Sequence, residues 1–357
     1  MLNFDNRTSW SGGVYPGWNR ERSPQYTLVF KAAYDFDLDG KLTPRVPTPP
    51  IVEADEYFGD PMRTGLKAAI ETMPYKQGAE MYLYGTAHPP GEGKCVTEVG
   101  VGIAFPDGRS FRKILRVFGP REWKQVMMNP VVTGPQALTP VPLRYELAFG
   151  GSNPADPDEV YPRNPIGKGL NGKGWKLKNH ALPQIENPAA LITRPSDTPA
   201  PAGFGPIPLF WEPRASEAGE PDLEAAEAGE CPYAADAEPT LHNYAPTDQQ
   251  FEMPFVGGEV LHLAGFFREL ELSKTVRVSL PALNPCLFTI VDGKARELQP
   301  VCDTLIVDTD VRLIQLVCRA AIPAEVWASG SGWIVLEDGS AEQASHRGTP
   351  DEVKLTA

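Results

Sequence analysis

Residues Gln25–Asp37, QYTLVFKAAYDFD, place Tyr26, Leu28, Phe30, Ala32, Tyr34 and Phe36 on one side of the chain. A period of two sustained over that length fits no helix, so the stretch reads as a long strand with one apolar face. Asp39-Gly40 follows it as a hairpin turn. The same pattern returns in Val99, Val101, Ile103 and Phe105, turns at Pro106–Arg109 (PDGR) and comes back through Phe111, Ile114 and Val117.

Downstream, alternation resumes in KTVRVSLPAL (274–283), in CLFTIVDGKARELQ (286–299) with a turn at Asp292-Gly293, and in CDTLIVDTDVRLIQLVCRA (302–320). A turn centred near Thr309 in the last of these puts Cys302 and Cys318 opposite each other, roughly 5 Å apart. Two short helical pieces are expected as caps on the sheets: GLKAAIETM (Gly65–Met73) and REWKQVMM (Arg121–Met128), each closed by a nearby proline.

With 38 prolines and 33 glycines in 357 residues, helices must be few and connections many. The expected fold is therefore all-β with a few short helices, in antiparallel β-sandwich-like lobes. Residues 1–150 form the first lobe and residues 251–338 the second. Between them, residues 151–250 hold 16 of the prolines and read as a Pro/Gly-rich and acidic loop insertion. The polar stretch 339–357 cannot bury enough apolar area to order itself and is expected as a flexible tail.

The formal net charge is −13, and from Ala215 to Phe267 there are eleven acids with no lysine or arginine. Such a surface repels phosphate backbones and anionic lipid, so no nucleic acid and no membrane insertion is expected. The N-terminus shows no basic head followed by an apolar run, and nowhere do about 18 apolar residues follow one another. The five cysteines have no C-x-x-C spacing, which suits free thiols in a reducing, cytoplasmic setting.

The loop YPRNPIGKGLNGKGWKLKN (Tyr161–Asn179) matches two phosphate-binding patterns. Gly167, Gly169 and Gly172 satisfy G-x-G-x-x-G; Gly167, Gly172 and Lys173 satisfy the P-loop pattern except that Gly174 stands at the magnesium-binding Ser/Thr. Phosphate binding needs a buried strand before the glycines and a helix after them. Here four prolines precede and Pro183 follows closely. The glycines are read instead as giving a loop its positive φ, with no cofactor implied.

The five histidines lack the i, i+4 spacing of a helical metal site, and no G-x-S-x-G elbow is present. No metal site and no catalytic residue is expected. Loops on a rigid sheet scaffold carry binding disproportionately, and a tryptophan is a common interface anchor. The candidate contact residues are thus Tyr161, Arg163, Trp175 and Lys176 in this loop, with Glu220, Glu224, Glu227 and Glu230 in the acidic stretch.

Taken in order, KAAYDFDLDGKLTP, VPLRYELAFGG, YPRNPIGKG, FGPIPLFWEPR, HNYAPTDQQ and DTLIVDTDVRLIQLVCR resemble domain-of-unknown-function family 2169 over roughly Phe30 to Arg319. The family's motifs fall on Phe149, Gly150 and Gly151, on Asn164, Pro165, Gly167 and Gly169, and on Pro246, Asp248, Gln249 and Gln250. The resemblance carries over no catalytic role.

It implies a cytoplasmic, non-enzymatic adaptor or chaperone of type VI secretion. Such a protein binds a cognate effector toxin and helps load it onto the VgrG spike or its PAAR-repeat tip. Relatives carry a Gly-Thr-Tyr-Asp stretch after the Trp-x-Pro-Arg motif; here Glu217–Glu230 reads EAGEPDLEAAEAGE, a difference that points to a cargo of its own. Two other readings stay open: a hydrolase with carboxylates assembled from distant loops, and a structural component of the secreted particle.

Overall fold

The Pro24–Phe36 strand lies inside the largest sheet of the computed structural model, which describes residues 2–127, 129–153, 156–171, 179–270, 274–322 and 332–339. That sheet has seven strands, in the order Gln250–Phe251, Ala79–Tyr84, Val301–Asp308, Leu313–Ile322, Pro24–Phe36 and Ser11–Trp18, with Leu42–Pro44 also pairing to Pro24–Phe36. A five-stranded sheet runs Ile185–Glu186, Ser110–Phe118, Val96–Ala104, Val260–Ala264, Thr275–Ser279. A four-stranded sheet runs Leu2–Asn6, Gly332–Asp338, Pro285–Val291, Lys294–Leu298. At 43 % strand and 6 % helix the fold is all-β.

The apolar positions read from the sequence are the ones that pack. Leu28, Phe30 and Ala32, with Cys318, Ala320 and Ile322, meet Leu287, Leu298, Ile334 and Leu336 of the four-stranded sheet. Farther along the same face, Met81, Leu83, Leu305, Val307, Ile314 and Leu316 meet Val99, Val101, Ile103, Leu261 and Leu263 of the five-stranded sheet. The other face of the central sheet is covered by connecting chain, with Val29, Tyr82, Ile306 and Val317 packed against Leu66, Ala69, Tyr244 and Ala245.

The hairpins fall where alternation and turns place them. Phe36 pairs with Leu42, Phe105 accepts and donates across the 105–109 turn, and Asp292-Gly293 joins Val291 to its partner Lys294 with φ of 48° and 74°. Cys302 faces Cys318 across its ladder, both as free thiols.

Three expectations are corrected. Residues read as separate lobes, 1–150 and 251–338, share sheets: Pro24–Phe36 pairs with Leu313–Ile322 and Val96–Ala104 with Val260–Ala264. Not every ladder is antiparallel, because Glu80–Tyr84 runs parallel to Thr304–Asp308 and Leu2–Asn6 parallel to Gly332–Leu336. Neither expected helical piece is a helix.

Leu66–Ala68 pairs with Glu56–Tyr57, and Trp123–Val126 with Asn129–Val132. In the first, Glu71 must reach Lys31 while Leu66 and Ala69 cover the sheet; in the second, Trp123 is buried beside Phe149. Tertiary packing overrides the helix-forming composition. The described helices are instead Arg214–Ala218, Leu223–Glu227 and three short 3-10 turns.

Candidate functional site

The glycine loop is built around one asparagine. Asn164 is fully buried, and its Nδ2 donates to the carbonyls of Tyr145 at 2.8 Å and Phe149 at 3.0 Å. Its own carbonyl accepts from the Gly151 amide at 2.8 Å. Gly150 has φ of 148°, and a Cβ there would stand 2.2 Å from the Asn164 carbonyl; a Cβ on Gly167 would stand 2.4 Å from Nδ2. Phe149–Gly150 and Lys168–Gly169 then pair in parallel.

Phe149-Gly-Gly and Asn164-Pro-x-Gly-x-Gly are therefore two halves of one backbone crossing. Gly169 takes positive φ as expected, whereas Gly167 is required by close approach. Gly172, Lys173 and Gly174 lie outside the described residues, as do Trp175 and Lys176.

Tyr161 is half-buried, its ring edge-on to Phe149 and its hydroxyl donating to the Pro199 carbonyl at 3.3 Å. Arg163 is exposed and borders a cavity of 410 Å³ between the 151–250 segment and the five-stranded sheet. In the same wall Lys113 donates to Asp248 at 2.8 Å and to Gln249 at 2.9 Å. Burial holds the Lys113 ammonium below its usual pKa, with Asp248 pulling the other way.

Glu220, Glu224, Glu227 and Glu230 are exposed on and around Leu223–Glu227, a helix that buries no side chain and is capped by Asp222 accepting from the Ala225 amide at 2.9 Å. Its root is elsewhere: Tyr233 stands edge-on to Trp18 of the central sheet's outer strand. The chain just before the acidic stretch touches the glycine loop, since the Glu212 amide donates to the Pro162 carbonyl at 2.9 Å.

On the loop-covered face of the central sheet, buried charges are paired: Lys31 with Glu71 at 2.8 Å, Lys76 with Glu80, and Arg319 with Asp303. Glu80 also accepts from the amides of Tyr244 at 2.7 Å and Ala245 at 2.9 Å, and Arg214 donates to the Ile207 and Leu241 carbonyls. Each buried carboxylate is neutralised where it lies, which is the arrangement that burial requires. Among the described residues no group of three or more His, Cys, Asp or Glu is placed to hold a metal ion.

A cavity of 880 Å³ forms an open trough on the outer face of the five-stranded sheet. In Val96–Ala104, Val99, Val101 and Ile103 point inward, so Gly100, Gly102 and Ala104 face out and leave bare backbone. Beside them run His262 and Ala264 of the neighbouring strand. One cross-strand row reads Arg112, Gly102, His262, Arg277, and the next Ile114, Gly100, Ala264, Thr275. Arg116 closes one end, paired with Glu98 at 2.6 Å.

Arg112 and Arg277 are exposed and make no ion pair among the described residues. Burial, then Arg277, hold the His262 imidazole below its usual pKa. None of these residues was singled out from the sequence. The signal was present in VTEVGVGIA, where every second residue from Gly100 is small and on the solvent side.

A family model described as "Uncharacterized protein conserved in bacteria (DUF2169)" matches residues 21–319, and the chain belongs to that family. No curated protein and no solved structure matches the chain. No helix among the described residues is long and apolar enough to cross a membrane.

Proposed function

We propose that this chain is a cytoplasmic adaptor or chaperone of bacterial type VI secretion, without catalytic activity of its own. It binds a cognate effector toxin and helps load it onto the VgrG spike or its PAAR-repeat tip. The observation that carries the reading is the 880 Å³ trough: small residues on a rigid sheet, with Ile114 and the unpaired Arg112 in its wall and Arg277 beside it in register, suit a polypeptide partner. A carrier must hold its cargo and then lose it to a tighter interface, which an open face on an ordered scaffold permits.

A hydrolase would need free carboxylates converging on a cleft. Of the buried ones here, Glu71, Glu80, Glu186 and Asp303 are each bound to a cation, and Glu259 accepts from the Val256 and Gly257 amides, which favours the adaptor reading.

The test is recovery of the tagged chain from its native cells at moderate salt, with mass spectrometry of co-eluting proteins. A toxin-like protein together with a VgrG or PAAR component is the expected result. A chain that elutes alone overturns the proposal, and its appearance in culture supernatant with the spike favours the structural-component reading.

A further inference from the structure

We infer that the trough receives an acidic amphipathic α-helix of a partner protein; this inference rests on the adaptor reading and names the chemistry of its contact. Width comes first. The walls belong to Ser110–Phe118 and Thr275–Ser279, which are separated by the two floor strands. Three interstrand spacings of about 4.8 Å put the walls roughly 14 Å apart. An α-helix with its side chains is about 10–12 Å across and fits between them.

Length agrees. From Glu98 to Ala104 the floor strand advances six residues at about 3.3 Å each, roughly 20 Å, the rise of a helix of about 13 residues. Small floor residues let a helix axis come close: Gly100, Gly102, Ala104 and Ala264 raise nothing beyond a methyl group, leaving the His262 ring and Glu98 as the larger side chains of the floor strands. Ile114 offers the apolar contact.

Charge sets the occupant's sign. Arg112 and Arg277 stand at the two ends of one cross-strand row, on opposite walls, each without an ion pair among the described residues. Two unpaired guanidiniums on one sheet face, Arg112 lining the trough and Arg277 bordering it, on a chain of net charge −13, select carboxylates on both flanks of whatever lies between them. A basic helix would meet both arginines unfavourably. Among the described residues a second copy of this chain offers no α-helix longer than five residues, too short to span the floor.

The experiment places a photo-crosslinking benzoylphenylalanine at Ile114 or Thr275, one per wall, in the full chain expressed in its native cells, and sequences the crosslinked peptides. The expected result is one acidic segment captured from both walls, apolar at i, i+3, i+4 and i+7. Its yield should fall at least tenfold in an Arg112→Glu, Arg277→Glu double variant and in Ala264→Trp, which fills the floor. All three positions face solvent, and circular dichroism checks that each variant folds.

Capture of a basic or strand-patterned segment, or of a second copy, overturns the inference. So does an absence of crosslinks while the effector still co-elutes, an outcome that leaves the adaptor reading standing. An absence of both crosslinks and co-eluting partner removes the two together.

Discussion

The three large sheets and the 151–250 connecting segment both bury side chains, yet they are held by different physics. In the sheets, apolar side chains alternate and meet a facing layer, as Leu305 and Val307 meet the Val99–Ile103 side. The connecting segment adds to its buried Ile185, Phe204 and Trp211 a set of polar side chains buried to satisfy backbone: Asn164, Arg214, Asn243 and Gln249 all donate to carbonyls. Apolar burial is non-directional and survives repacking. A buried hydrogen bond either forms with its one partner or leaves a desolvated group behind.

The sharpest test of that contrast is Glu80→Ala. Glu80 neutralises Lys76 and accepts two amides of the connecting segment. Its removal strands a buried ammonium and is expected to cost about 3–5 kcal/mol. Leu305→Ala, in the layer between sheets, should cost about 2–5 kcal/mol. Urea midpoints at unchanged m-value give both numbers. A Glu80→Ala cost under about 1 kcal/mol would mean that the segment is not held by this anchor.

Asn164→Ala comes next. It leaves the Tyr145 and Phe149 carbonyls without their side-chain donor and should cost about 1–3 kcal/mol. Asn164→Asp should be at least as harmful, because a carboxylate cannot donate to either carbonyl. If aspartate is tolerated while alanine is not, the crossing is held by side-chain volume and not by donation.

Acid should act on the connecting segment through His242. Its imidazole is held down to about 3 by burial first and then by Lys76, Arg214 and Arg319. The unfolded side chain binds its proton near pH 6.5, so between there and about pH 3 the unfolded state holds more protons. Stability is therefore full above pH 6.5 and falls as pH drops, by at most about 1.4 kcal/mol per pH unit from this one group. Asp303 and Glu186, whose carboxyls are raised by burial, act in the opposite sense, so the difference between wild type and His242→Phe isolates the histidine. Parallel pH curves for the two proteins would remove it as the source.

The same contrast explains what was legible in the sequence. Alternation showed the long Pro24–Phe36 strand, the hairpins and the facing cysteines, because a period of two is written in every residue of a half-buried strand. Nothing periodic marks Asn164 or Gln249, whose role is to meet one carbonyl brought in from far along the chain. Gly65–Met73 misled for a related reason: its alanines and leucine fit a helix, while the position of Lys31 draws Glu71 across the sheet in an extended path. The candidate contact residues were read from loop composition, and the trough from neither loop nor charge run. It lies on the solvent side of a strand whose inward side had already been used to predict the fold.

The smallest expected effect falls where neither kind of anchor operates. The Leu223–Glu227 helix buries no side chain, and Leu223 is 69 % exposed, so its order depends on local terms such as the Asp222 cap. Asp222→Ala removes the bond to the Ala225 amide and one favourable charge at the helix start. Because the helix adds nothing to either core, global stability should move by less than about 0.5 kcal/mol. Hydrogen exchange at Ala225 and Ala226 should nevertheless speed up, reporting local opening. A shift in the global midpoint would instead show that this acidic stretch is coupled to the buried polar anchors beyond it, through Tyr233 and its contact with His242. In that case a partner that grips the acids could change the stability of the whole loop-covered face.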